Sequence, residues 1–314
     1  MNITVLDTAT LANTSLDALA QLGKLTCYDL TAQEQVVERC QDADIVISNK
    51  VVIDQHALSK LPNLKLICVA ATGTNNIDLI AAKEHSIAVT NVAGYSTPSV
   101  VQHTFTLITN LLGNTHRYIN DCQQGLWQQS PMFCRLDYSF KEIAGKTLAI
   151  IGYGSLGKAV ADVARAFGAN VIISERKGHA PREGRVSFND ALTTADIISV
   201  HCPLTDETHN QIAATELSMM KPTVIIINTA RGGIINEADL ADALANNVIA
   251  GAGVDVLSKE PAEQSNPLAQ YKGANLLLTP HIAWASQESI VRLVNEIALN
   301  IQAFNQGEMR NRLV

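Results

Sequence analysis

The chain is 314 residues long, 47% hydrophobic and 17% charged, with a formal net charge of −7, a composition that builds a sizeable core and is not that of a disordered chain. Its length predicts two domains, and an acidic balance without any basic run excludes nucleic acid and an anionic membrane surface as partners. The longest apolar runs, Thr223–Asn228 and Asn275–Thr279, are too short to span a bilayer, and the amino end reads as a strand, not a leader, so a soluble, cytoplasmic protein is expected.

Short β-branched runs alternate with helical patterns from the start. Ile3–Leu6, Leu25–Tyr28, Asp44–Ser48, Lys65–Ala70 and Ile87–Val92 are predicted strands, with helices at Ser15–Leu22, Ala32–Cys40, Asp54–Ser59 and Leu79–His85. This is the βαβ signature of a parallel sheet covered on both faces. Pro98 opens a helix predicted to run to about Asn120, whose apolar positions Val101, Phe105, Ile108 and Leu112 suit burial. A second series follows: strand Thr147–Gly152, helix Ser155–Phe167, strands Asn170–Ser174, Asp196–Val200 and Thr223–Asn228, helix Glu237–Asn246, then strands Val248–Val256 and Asn275–Thr279. The segment Ser286–Gln306 has helical spacing and needs a partner surface. The expected fold is therefore α/β, with two doubly wound parallel-sheet domains and a ligand cleft between them.

Six cysteines (Cys27, Cys40, Cys68, Cys122, Cys134 and Cys202) form no CxxC and no short Cys/His cluster, so no metal site is expected and the thiols are read as reduced. Gly152-Tyr153-Gly154-Ser155-Leu156-Gly157 is a G-x-G-x-x-G placed after an apolar strand and at the start of a helix. There the glycines allow the turn and the close approach of a pyrophosphate, and the helix end offers it N–H groups. The next strand ends in Ser174-Glu175-Arg176-Lys177, which puts Glu175 where an acid accepts the hydroxyls of an adenosine ribose. That acid favours NAD; Arg176 and Lys177 make NADP the second candidate, since they could pair with a 2′-phosphate if Glu175 turned away.

Arg231, in Asn228-Thr229-Ala230-Arg231-Gly232-Gly233, lies at a strand's carboxyl end with a donor fork suited to a carboxylate; an ordinary turn arginine would look the same. His281 follows Pro280 at another strand end, and Glu260 lies in the loop after Val256. If they meet, the carboxylate orients the imidazole and raises its pKa for proton transfer near neutral pH, although spacing alone does not bring them together. The other histidines, His103 among them, carry no special reading.

Taken together, the segments Ala70–Asp78, Gly94–Thr97, Ser99–Thr104, Gly145–Gly157, His201–Thr205, Asn228–Gly233, Gly253–Val256, Glu260-Pro261 and Thr279–Ile282 resemble the D-isomer-specific 2-hydroxyacid dehydrogenase family over essentially the whole chain. The resemblance implies a discontinuous, flavodoxin-like substrate-binding domain, 1–99 with 286–314, and a Rossmann NAD-binding domain, 100–285. It implies a catalytic set of Arg231, Glu260 and His281. The backbone of Thr72, Gly73 and Thr74 would bind the substrate's carboxylate beside Arg231, with Trp284 as a pocket wall. Cofactor contacts would come from Gly152, Gly154, Ser155, Leu156, Gly157, Glu175, Arg176, Cys202, Pro203, Thr229, Ala230, His281 and Asp255, the last reaching the nicotinamide carboxamide. Subunits would pair as a homodimer through the cofactor domain. Within the family, Thr279–Ser286 and Thr72–Asn76 look most like the glycerate dehydrogenase/hydroxypyruvate reductase group. Gln102 stands where many members have an acid, and Glu175 replaces the usual Asp. The expected reaction is NAD(H)-dependent interconversion of a small D-2-hydroxy acid and its 2-oxo acid, foremost D-glycerate and hydroxypyruvate, with glyoxylate next. The alternatives are a non-catalytic NAD-sensing scaffold of co-repressor type and a family dehydrogenase for another substrate.

Overall fold

The computed structural model describes residues 1–314, which divide into two compact units, Met1–Ser96 with Ala285–Val314, and Thr97–Trp284.

The first unit opens with β1 (Asn2–Val5), α1 (Asp17–Ala20), β2 (Lys24–Cys27), α2 (Val36–Cys40), β3 (Ile45–Ser48), α3 (Gln55–Leu58), β4 (Leu66–Val69), α4 (Leu79–Glu84) and β5 (Ala88–Thr90). The strands form one parallel sheet in the order β2-β1-β3-β4-β5, the flavodoxin-like arrangement. β3 and β4 are buried at every residue, as their sequences IVIS and LICV require, whereas β2 (KLTC) is largely exposed at the sheet edge. The helices are shorter than the predicted segments, with four, five, four and six residues. Aspartates fix two of the starts: Asp54 accepts from the Ala57 N–H at 2.9 Å and Asp78 from the Ala81 N–H at 3.0 Å, caps worth about 1 kcal/mol apiece.

The second unit continues with α5 (Thr97–Gly113), α6 (Thr115–Gln123), β6 (Thr147–Ile151), α7 (Ser155–Ala166), β7 (Asn170–Ser174), α8 (Phe188–Thr194), β8 (Ile197–Val200), α9 (Ala214–Met219), β9 (Ile225–Asn228), α10 (Glu237–Ala245), β10 (Gly251–Val254), α11 (Pro267–Gln270) and β11 (Leu276–Leu278). The helix expected from Pro98 to Asn120 is two helices. Asn114 adopts a left-handed conformation (φ 49°) that closes α5 and starts α6, a backbone state Asn tolerates better than most residues.

The six strands run parallel in the order β11-β10-β9-β8-β6-β7. A lone parallel bridge between Ser174 and Val186 stands in for the outer strand of a full Rossmann half. Successive residues of β6 enter opposite cores: Ala149 and Ile151 pack with Ile198, Ile226 and Leu240, while Leu148 and Ile150 pack with Val160, Ile108 and Ile227. This is the two-sided burial expected of a doubly wound sheet.

The last helix, α12 (Gln287–Asn305), belongs to the first unit. Its stripe Ile290, Leu293, Val294, Ile297 and Ile301 is buried, and Arg292 Nε donates to the Tyr95 carbonyl at 2.9 Å. The partner surface demanded by the sequence is thus supplied by residues two hundred positions earlier.

Candidate active site

Strand register sets the geometry of the second unit's carboxyl edge. Ile151 pairs with Ser174 and Val200, Val200 with Asn228, Asn228 with Val254 and Val254 with Leu278. Gly152, Glu175, His201, Thr229, Asp255 and Thr279 therefore leave the sheet at one level, the edge at which open α/β sheets place ligands.

At the β6 end, Gly152 has φ +97°, and a Cβ there would lie 2.4 Å from the Cys202 nitrogen; one on Gly157 would lie 2.1 Å from the Gly152 oxygen. Both must be glycine for the turn and for α7 to sit against it. Gly154, by contrast, faces open space, with nothing within 4 Å of its would-be Cβ, and it caps α7 without any side-chain hydrogen bond. The first N–H groups of a twelve-residue helix are left facing that space, a cradle that fits a dinucleotide pyrophosphate.

Alongside it, the Glu175 carboxylate is engaged by its own loop. Its side chain is 2% exposed, and its oxygens accept from Arg182 Nε (2.6 Å), Arg182 Nη2 (2.7 Å), the Arg176 N–H (3.0 Å) and the Arg182 N–H (3.3 Å). The Arg182 guanidinium holds the carboxyl well below the usual glutamate range. The group expected to receive ribose hydroxyls is occupied by its own loop, because Arg182 returns to it seven residues later. Lys177 is also taken, by Glu216 at 2.8 Å, while Arg176 is exposed.

The β8 end is apolar in effect. Cys202 Sγ accepts from Gln211 Nε2 at 3.0 Å and burial raises its pKa, the opposite of a thiolate nucleophile. His201 Nε2 lies 2.8 Å from Ser199 Oγ, its Nδ1 is enclosed without a partner, and burial lowers its pKa to about 4.

After β9, Asn228 staples the turn that carries Arg231: its Nδ2 donates to the Arg231 carbonyl (2.9 Å) and its Oδ1 accepts from the Ala230 N–H (3.1 Å). The Arg231 residue itself is exposed. Thr229 Oγ1 meets Thr104 Oγ1 of α5 at 3.0 Å.

His281 and Glu260 do come together. His281 Nδ1 is 2.5 Å from Glu260 Oε2, and Glu260 Oε1 accepts from the Leu257 N–H at 2.9 Å. The carboxylate is thus fixed by backbone on one side and orients the ring on the other, leaving Nε2 as the nitrogen for proton exchange. His281 is itself left-handed (φ 54°), a strained state for a non-glycine residue. Asp255 holds it there. The Asp255 carbonyl accepts from the His281 N–H (2.8 Å), and its carboxylate accepts from the N–H groups of Ile282 (3.0 Å) and Ala283 (2.9 Å) and from Thr279 Oγ1 (2.5 Å).

His103 of α5 joins this cluster, with Nε2 2.9 Å from Thr279 Oγ1 and 3.5 Å from Asp255 Oδ1. Since the threonine's one hydrogen goes to Asp255, His103 must donate through Nε2. The Asp255 side chain is 0% exposed, so it anchors the His281 loop where a nicotinamide contact was expected. His103 was passed over in the sequence, yet Ser99, His103 and Thr104 form a polar stripe at helical spacing on a largely apolar helix, and each bonds across: Ser99 Oγ donates to the Ala283 carbonyl at 2.6 Å.

In the first unit, Thr72 is fixed by its hydroxyl on the Val92 carbonyl (2.9 Å) and by Asn91 Nδ2 on its own carbonyl (2.7 Å). The N–H groups of Thr72, Gly73 and Thr74 find no acceptor within the unit, leaving donors suited to an anion. Trp284 is partly buried. No helix is long and apolar enough to cross a membrane.

Residues 105–283 match the family model described as the NAD binding domain of D-isomer specific 2-hydroxyacid dehydrogenases. The chain is 43% identical to a glycerate dehydrogenase of Methylorubrum extorquens over 278 residues, 88% of each. It is 37% identical to a hydroxypyruvate reductase of Blautia hydrogenotrophica over 99% of each. Among solved structures, a glyoxylate reductase from Paecilomyes thermophila superposes with a TM-score of 0.83 at 27% identity, over 100% of this chain and 98% of that one. Two parallel α/β units, a glycine turn shaped for a dinucleotide, a carboxylate-held histidine on the same sheet edge and these likenesses agree: the chain belongs to the D-isomer-specific 2-hydroxyacid dehydrogenase family and is an NAD-dependent oxidoreductase of that kind.

Proposed function

We propose that the protein reduces hydroxypyruvate to D-glycerate with NADH, with glyoxylate as a second substrate. The observation that carries the chemistry is the Glu260–His281 pair, level with the Arg231 turn on the edge where Gly152–Gly157 begins; the likeness to glycerate dehydrogenase and hydroxypyruvate reductase favours the substrate. Gly152, Gly154, Ser155, Leu156 and Gly157 would hold the coenzyme's pyrophosphate, with Cys202, Pro203, Thr229 and Ala230 bordering the dinucleotide.

When bound, the reduced coenzyme supplies a hydride to C2 of the 2-oxo acid. His281 gives a proton from Nε2 to the C2 oxygen, and Glu260 accepts the Nδ1 hydrogen bond throughout, so the ring keeps its orientation as it turns neutral. Arg231 pairs with the substrate's carboxylate or its developing oxyanion. Trp284 is assigned the pocket wall that keeps the substrate small.

The same reading includes a homodimer formed through the second unit. Its support is an apolar set between Leu126 and Phe140 that no neighbour covers: Trp127 is 53% exposed, Phe133 89%, Leu136 76% and Phe140 72%, more than isolated surface residues account for. Six free cysteines support a reducing, cytoplasmic setting. The test of the reaction is the loss of NADH absorbance against hydroxypyruvate, glyoxylate, pyruvate and a branched 2-oxo acid. Turnover is expected to be fastest with hydroxypyruvate; turnover confined to the branched acid or to pyruvate overturns the substrate assignment.

A further inference from the structure

A dinucleotide site selects NAD over NADP with a free carboxylate after the second strand: it accepts the ribose hydroxyls and repels a 2′-phosphate. Glu175 occupies that position, because Ser174 pairs with Ile151 and the next residue emerges beside Gly152. Its carboxylate is nevertheless not free. Four donors fill its lone pairs, all from the segment that follows it, and Arg185 Nη1 stands a further 3.6 Å from Oε1. The segment is folded to do this, since the Glu175 N–H donates to the Val186 carbonyl at 2.9 Å and turns the side chain into the loop.

The exposed charge is of the other sign. The Arg182 side chain is 61% exposed while Glu175 is 2% exposed, and Arg176 is exposed beside them. Two guanidinium groups, those of Arg182 and Arg185, thus flank one buried carboxylate, with Glu183 the other acid of the loop. A bidentate salt bridge uses one edge of a guanidinium and leaves its remaining donors for a second anion.

We propose that Arg182 sets the coenzyme preference: by engaging Glu175 it removes the acidic barrier at the ribose and presents a guanidinium there instead, so the protein accepts NADPH about as well as NADH. This rests on the dinucleotide-binding reading of the second unit and not on the identity of the oxo acid.

The experiment is a titration of the purified protein with NADH and with NADPH, followed by nicotinamide fluorescence without substrate, at low and raised salt. The wild-type Kd values are expected to agree within about tenfold. Arg182→Ala is expected to weaken NADPH by about 10- to 100-fold, the size of one charge-assisted hydrogen-bonded pair, to move NADH by less than about threefold, and to flatten the salt dependence of NADPH binding. Glu175→Gln, which keeps the loop's shape and removes only the charge, is expected to hold or tighten NADPH binding and leave NADH unchanged. Three results overturn the proposal: a wild-type preference for NADH above about 100-fold, equal weakening of both coenzymes by Arg182→Ala, or a loss of NADPH binding in Glu175→Gln. Failure to bind either coenzyme overturns it together with the dinucleotide-binding reading. Tight binding without hydroxypyruvate turnover touches only the substrate assignment.

Discussion

Two buried carboxylates sit at opposite sides of one sheet edge, Glu175 after β7 and Asp255 after β10, and they are neutralised in different ways. Glu175 is met by guanidinium groups, so its charge is cancelled and what solvent meets is positive. Asp255 is met by two N–H groups, a hydroxyl and His103, so its charge is spread over dipoles while it pins the backbone on either side of His281. An ion pair can be loosened by solvent or a competing anion; a carboxylate buried among backbone donors cannot be exchanged without unfolding the loop. The first arrangement suits a ligand contact and the second suits a fixed catalytic geometry.

The largest effect belongs to the loop Asp255 holds. His281→Ala is expected to lower kcat by about a thousandfold or more, with NADH affinity within about twofold of wild type, since proton transfer is lost and the glycine turn untouched. Stopped-flow rates with coenzyme titration separate the two, and normal turnover would remove His281 from the chemistry.

Next is the anchor itself. Asp255→Ala leaves the Ile282 and Ala283 N–H groups and the Thr279 hydroxyl without their acceptor, which predicts a loss of about 3–5 kcal/mol in stability and a fall in kcat larger than the change in KM for the oxo acid. Denaturant unfolding and steady-state kinetics check both. Unchanged stability would mean water replaces the carboxylate and the contrast with Glu175 fails.

Between the two carboxylates lies His201, which has no counter-charge. Its folded pKa of about 4 is below that of a free imidazole, near 6.5, so the unfolded chain binds the extra proton between these values. Stability therefore rises with pH from about 4 to 6.5 through this group, by at most about 3 kcal/mol. His201→Gln should flatten that limb in melting curves taken across the range.

The smallest effect is expected at Glu175. Its pKa is lowered on folding, so its contribution is complete above the ordinary glutamate range and is lost as pH falls through the folded value. Glu175→Gln should melt below wild type at pH 7 and converge with it in acid. A difference that grows on acidification would contradict the ion pair.

What the sequence made legible was whatever is written contiguously. The β6–turn–α7 corner, the β-rich runs and the capped tail helix are linear patterns, and the strands lie within a few residues of their expected limits. Three helices of the second unit escaped, α8, α9 and α11, with seven, six and four residues, although helices as short as these were anticipated in the first unit. The site was legible as residue types at strand ends, Arg231 and His281 among them, while the meeting of Glu260 with His281 came from the family resemblance and the contact itself from the fold. Its wiring was not, because the decisive contacts are remote in sequence. Thr279 and His103 are 176 positions apart, and even the partner of Glu175 only seven positions away, Arg182, returns through loop geometry that composition does not encode.

The level line of strand ends from Ile151 to Leu278 has a counterpart in the opposite rim, where Lys146, Ala169, Asp196, Ala250 and Asn275 precede their strands. None of the catalytic or coenzyme contacts comes from that rim, so its connections are free to lengthen, to carry a fused domain or a surface label, and to drift in evolution without disturbing the chemistry.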